Sequence, residues 1–155
     1  MNIFFLDKNP RLCAEYHCNK HIVKMPLETA QLLCTVHWET GSEAPYRLVF
    51  KNHPCAKWTR QSLAHYRWLC ILGLELCKEY TYRYEKIHKC QEILEWLTEN
   101  EPNLEDNGFT EPPQCMPDKC KKKSVVAGYR KYYQMEKAYF AEWKKRNIPK
   151  WFKGE

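Results

Sequence analysis

The stretch CAKWTRQSLAHYRWLCILGLELCKEYTYRYEK, residues 55–86, constrains this chain more than any other. It runs at helical period with no proline and one glycine, Gly73, as its weak point. Leu69, Leu72 and Leu76 fall on one face, while Lys57, Arg60, Arg67 and Lys78 are spread over the others, so one side is made for a core. Only five glycines occur in 155 residues, the size of one ordinary domain. The expected fold is therefore all-α, a single compact helical domain over residues 1–155.

The other segments fit around that central helix. NIFFL, residues 2–6, is too short for a helix and reads as a buried strand or an extended arm, part of an N-terminal arm over residues 1–9. Asp7 and Asn9-Pro10 supply a turn and a cap for a first helix over residues 10–37. Pro26 lies inside it and predicts a kink near residues 22–26, with a split into two helices as the alternative. A loop over residues 40–54, an amphipathic helix over 88–100 and a proline-rich, acidic loop to residue 123 follow. A last helix starts at the Ser124 cap and runs to about residue 147, ahead of a basic aromatic tail, residues 147–155.

Hydrophobic residues make up 44% of the chain and aromatic residues 14%, which excludes a disordered protein. Lysine and arginine outnumber aspartate and glutamate by 25 to 19, a net charge of +6 that suits a polyanionic partner as well as it suits solubility. MNIFFLDKNP lacks the basic start and long apolar run of a signal peptide, and no segment approaches membrane-spanning length. The expectation is a soluble cytoplasmic protein with no membrane partner, working as a monomer. Nine cysteines without CxxC spacing read as small core residues in a reducing compartment.

Four groups of residues carry possible chemistry. In YHCNKHIVKMPLETAQLL, residues 16–33, His17, His21, Lys24, Glu28 and Gln31 form a stripe at helical steps. Two histidines, a lysine, a glutamate and a glutamine make a poor ion-pair ladder but a good polar wall, so the stripe reads as the lining of a cleft. KNHPCAKW and HYRW bring together His53, Lys57, Arg60, His65 and Arg67 with Trp58, Tyr66 and Trp68, the mixture of cations and rings that nucleic-acid surfaces use. Glu79, Arg83 and Lys86 occupy adjacent turns and read as a solvated ladder, or as substrate-orienting groups, with Arg83 on DNA, if they face the cleft. The tail adds Lys150, Trp151 and Lys153.

Several layouts are absent. His17-x-x-x-His21 lacks the glutamate of a zinc protease, because Cys18 stands in its place, and Cys13/Cys18 and Cys115/Cys120 are only loose pairs. No metal and no cofactor is expected. Phosphate-binding glycine loops, dinucleotide fingerprints and nucleophile elbows are missing, and Pro54-Cys55 is not followed by the second cysteine of a deaminase.

The order of these parts, a short apolar arm, a first helix containing AEYHCNKH, a long second helix and a final helix ending in PKWFKG, resembles the pyrimidine-dimer DNA glycosylases of the phage endonuclease V type. AEY at residues 14–16 and the Trp-aromatic-Lys of the tail are the best local matches. The resemblance implies a small helical enzyme whose nucleophile is the amino group of its first residue, assisted by a glutamate on the first helix. Such an amine titrates near neutral pH and can attack a sugar C1′ to form an imine that permits strand cleavage. No carboxylate follows AEY here, where His17-Cys18-Asn19 stands, so Glu15 and Glu28 are the available substitutes, and the amine belongs to Met1 or Asn2.

Three readings result. The first is a DNA N-glycosylase, with AP-lyase activity through the N-terminal amine, acting on damaged or modified bases in double-stranded DNA. Its expected catalytic set is Met1, Asn2, His17, His21 and Glu28; its DNA contacts are Lys20, Lys24, His53, Lys57, Arg60, His65, Arg67, Arg83, Lys150, Trp151 and Lys153. The second is an enzyme acting on a nucleotide or modified base through His17, His21 and Glu28. The third is a non-catalytic nucleic-acid-binding accessory protein.

Overall fold

Residues 1–153 of the chain are described here from a computed structural model. They form an all-α architecture: α1 (Pro10–Tyr16), α2 (Asn19–Glu39), α3 (Pro54–Thr59), α4 (Leu63–Tyr84), α5 (Gln91–Glu99) and α6 (Val125–Tyr132), which runs into a π-helical turn, Tyr133–Lys137. The last two residues of the tail, 154 and 155, lie outside the described residues. Among the described residues no helix is long and apolar enough to cross a membrane.

Asn9 caps α1 as expected, its Oδ1 accepting from the Arg11 and Leu12 amides, with Pro10 at the first helical position. The break in the first helical stretch falls at His17-Cys18, not at Pro26, which α2 carries in its interior. Partners at the break explain its place. The Cys18 amide donates to the Tyr133 hydroxyl at 3.2 Å, the Asn19 amide donates to the Glu142 carbonyl at 2.8 Å, and Asn19 Oδ1 accepts from Arg83 at 3.1 Å. Backbone groups at a helix end must find partners, and here the far end of the chain supplies them.

The long helix of residues 55–86 is also two. Ser62 interrupts it as the cap of α4, its Oγ accepting from the Ala64 amide at 3.3 Å and from the Asn107 amide at 2.9 Å. Gly73 is a packing position: a Cβ there would lie 2.6 Å from Leu94 Cδ2 and 3.1 Å from Thr29 Cγ2, so the missing side chain lets α4 approach α5 and α2. Helix α5 and the Ser124 cap of α6 stand where the sequence places them.

The last helix is shorter than expected because the chain beyond Ala138 bonds across the fold. Trp143 Nε1 donates to the Tyr16 carbonyl at 2.8 Å, the Lys144 amide donates to Asn19, and Arg146 forms a fork with Glu79 at 2.9 and 3.0 Å. Trp151 then stands edge-on to Tyr16 and Tyr133, with ring centroids 5.8 and 5.9 Å away. The tail is thus docked on the α1/α2 junction. Eight of the nine cysteines are buried core residues, with Cys115 partly exposed.

Candidate active site

Residues 2–6 form the extended arm that the sequence suggests, and Ile3, Phe4, Phe5 and Leu6 are all buried. Four large apolar side chains entering the core in succession anchor the arm by the hydrophobic effect. Polar contacts then fix its course. Arg130 donates to the Leu6 carbonyl at 2.9 Å and pairs with Asp7 at 3.2 Å. Asn2 Nδ2 donates to the Cys115 carbonyl at 2.9 Å, and Asn2 Oδ1 accepts from the Tyr129 hydroxyl at 2.8 Å.

This path delivers the α-amine to the middle of α2. The Met1 nitrogen lies 3.4 Å from Glu28 Oε1, and the Asn2 amide donates to the same oxygen at 3.1 Å. Lys24, one turn earlier on α2, reaches Glu28 Oε2 at 3.5 Å. Glu28 is only 7% exposed, so a carboxylate held this far from water requires such partners. Of the two carboxylates the sequence offers, Glu28 meets the amine; Glu15 pairs instead with Arg11 and Arg146.

Met1, Asn2, Lys24 and Glu28 open onto a cavity of about 300 Å³, which Phe4, His21, Met25, His53, Cys115, Tyr132 and Lys137 also line. Three cations, the amine, Lys24 and Lys137, face one carboxylate, so the cavity favours an anion. The stripe on α2 lines this wall through His21, Lys24 and Glu28 and is not a solvated face.

The two histidines do not fit proton carriers. His17 caps α1, stands away from the cavity, and places Nδ1 2.6 Å from the Cys13 carbonyl; burial drives its pKa down to about 4. His21 stacks on Phe4 at 4.1 Å, hydrogen-bonds through Nδ1 with the Tyr133 hydroxyl at 2.6 Å, and is lowered to about 2 by burial first and then by His17, Lys137 and Lys24. Both rings are neutral near pH 7. His53, whose pKa burial and the α-amine lower against the pull of Glu28, also lines the cavity.

The expected DNA contacts separate by burial into three groups. Lys20, Lys24, Lys57, Arg67, Lys150 and Lys153 are exposed, with Arg67 in a bidentate pair with Glu101. Arg60 is half-buried and bonded to the Lys51 carbonyl, and Trp151 is half-buried in the docked tail. His65 and Arg83 do not belong among surface contacts. His65 is buried, stacks on Trp58 at 4.2 Å, and uses both ring nitrogens, on the Trp58 carbonyl and the Thr110 amide. Arg83 is fully buried and bonded to Glu79, Asn19 and the Glu15 carbonyl, so Glu79 and Arg83 form neither a solvated ladder nor a cleft pair.

Cys115, Tyr132 and Lys137 are cavity residues that the sequence reading missed. None has a local signature, because each reaches the site through the packing of residues 104–137 against the arm. His53, Cys55 and Cys115 also stand together, with donor atoms within 4.8 Å of one another and the two sulfurs 3.7 Å apart. Cys115 thus pairs with Cys55 and not with Cys120; His53-Pro54-Cys55 was the local hint.

Comparison with known families gives one match: residues 1–92, more than half of the chain, fit the model for pyrimidine dimer DNA glycosylase. Neither a curated protein nor a solved structure matches the chain. The matched span holds the arm and α1 to α4, and with them the amine and Glu28.

Proposed function

We infer the reaction from one premise: the chain belongs to the pyrimidine dimer DNA glycosylase family, so it is a DNA glycosylase acting on damaged bases. The finer reading is that the N-terminal amine is the nucleophile and Glu28 the assisting carboxylate. The observation that carries it is the 3.4 Å approach of the Met1 nitrogen to Glu28 in a cationic cavity.

In this reading the uncharged amine attacks C1′ of the damaged nucleotide. A C–N bond forms as the glycosidic bond breaks, and the base leaves with the bonding pair. Loss of an amine proton frees the nitrogen lone pair to form the C=N bond as the C1′–O4′ bond breaks and O4′ takes a proton, giving the ring-opened iminium; removal of a C2′ proton then expels the 3′-phosphate to cleave the strand. Glu28 holds the amine on the sugar's path, offsets the positive charge that develops, and is, among the described residues, the only carboxylate lining the cavity to take a proton. Lys24 and Lys137 meet the flanking phosphates.

The same carboxylate serves either first residue. With Met1 retained, its amine is 3.4 Å from Oε1; with Met1 removed, the Asn2 nitrogen already sits 3.1 Å from that oxygen. Asn2 is held through its side chain in both cases. A histidine-based mechanism has less support, since His17 is outside the cavity and His21 is neutral and stacked.

The test is Glu28→Gln, which keeps the shape and removes the charge. Under single-turnover conditions on a UV-irradiated duplex, base release should slow by roughly 10²–10⁴-fold, the range of positioned acid-base groups, with binding changed only a few-fold. Wild-type turnover in this variant would remove Glu28 from the mechanism.

A further inference from the structure

We propose that His53, Cys55 and Cys115 form a three-ligand site for a thiophilic divalent cation, with zinc as the ion their donor set fits. The geometry argues first. Two thiolates bound to zinc at about 2.3 Å with tetrahedral angles stand about 3.8 Å apart. Cys55 Sγ and Cys115 Sγ are 3.7 Å apart, and a His53 ring nitrogen lies within 4.8 Å of both. One short closing movement of the imidazole completes the face of a tetrahedron.

The ligands are also held in place. Cys55 is buried in the first turn of α3, and its amide donates to His53 Nδ1 at 3.1 Å. Cys115 is fixed at both backbone groups: its amide donates to the Tyr129 hydroxyl at 3.2 Å, and its carbonyl accepts from Asn2 Nδ2 at 2.9 Å. Binding releases the thiol protons to solvent. The cation takes the lone pair on His53 Nδ1 or, with the ring proton moved there, the one on Nε2; either replaces the single hydrogen bond from Cys55.

The fourth position is open, as at zinc sites that keep a water. Asn2 Oδ1, 3.9 Å from Cys55 Sγ, is an alternative to water as fourth ligand. Residues 104–123 contain only a short 3₁₀ turn, Asp118–Cys120. A cation joining Cys115 to α3 would tie this irregular segment to the wall of the cavity and to Asn2. The proposal does not depend on the amine reaction.

Cobalt(II) is the probe, titrated into the full chain with a non-thiol reductant present so that a Cys55–Cys115 disulfide cannot form. One equivalent should bind with an intense near-ultraviolet thiolate-to-cobalt band and tetrahedral visible bands, and zinc should displace it. Cys115→Ser should abolish the thiolate band's full intensity and weaken binding by at least about 100-fold, more than the loss of an outer-shell partner. Cys120→Ser should titrate like the wild type, since its sulfur lies against Met135 Sδ at 4.0 Å. Should Cys115→Ser fail to fold, alkylation of the wild type decides: zinc should protect the partly exposed Cys115. No thiolate band under reduction, a band of undiminished intensity in Cys115→Ser, or no zinc protection of Cys115 would each overturn the site.

Discussion

Exchanging Glu79 for Gln tests what holds together the junction from which α2 carries its polar wall. Glu79 Oε2 accepts from Arg83 Nε at 2.8 Å and from Arg146 Nε at 3.0 Å, and Oε1 accepts from Arg146 Nη2 at 2.9 Å. Burial raises the carboxyl pKa, but the two guanidiniums outweigh it and hold the group below its usual range. Arg83 is 0% exposed, and its remaining partners, Asn19 Oδ1 and the Glu15 carbonyl, are neutral. Removing the negative charge therefore strands a buried cation, which costs about 3–5 kcal/mol. For a chain of this size that lowers Tm by roughly 6–20 °C. Urea unfolding followed by circular dichroism reads the same loss directly. Glu79→Gln combined with Arg83→Met removes both charges and should recover at least half of it. A Glu79→Gln loss below about 1 kcal/mol, or no recovery in the double variant, would refute the assignment of this pair as a buried structural clamp.

Other perturbations have definite signs. Gly73→Ala places a methyl group against Leu94 and Thr29 and should destabilise by about 1–3 kcal/mol in the same unfolding assay. His17 and His21 are held neutral by burial, with pKa values down to about 4 and 2 against an unfolded value of 6.5. Between those limits the unfolded chain binds more protons, so stability should be complete above pH 7 and fall as pH drops through 6.5, by about 2 kcal/mol per histidine at pH 5. Thermal melts at pH 7.5 and 5.0 check this, and equal Tm values would contradict it. Lys137→Ala should weaken binding to undamaged duplex DNA and reduce the salt slope of log K by about 1, whereas Arg67→Ala, already paired with Glu101, should change it by less.

What the sequence made legible was local. Asn9-Pro10 and Ser124 are short-range caps, and the steps between His21, Lys24 and Glu28 are helical geometry, so all of these can be read along the chain. Breaks set by distant partners were not. Helix α2 runs through Pro26, while the chain opens at His17-Cys18 because Tyr133, Glu142 and Arg83 meet it there. Ser62 carries a cap signal, but one that the periodicity of residues 55–86 concealed. Arg83 and His65 look like DNA contacts by residue type; only packing reveals that their polar atoms are already satisfied. The amine and Glu28 are 27 positions apart in sequence, and it is the buried arm that joins them.

The most direct test of the amine mechanism is to locate the covalent link. The protein is incubated with an abasic-site duplex, borohydride is added, and the trapped adduct is digested and sequenced by mass spectrometry. Three amines line the cavity, that of the first residue and those of Lys24 and Lys137, so the outcome discriminates among real competitors. The account predicts an adduct on the α-nitrogen of Met1, or of Asn2 where Met1 has been removed. An adduct on Lys24 or Lys137, or strand cleavage without any adduct, would contradict it.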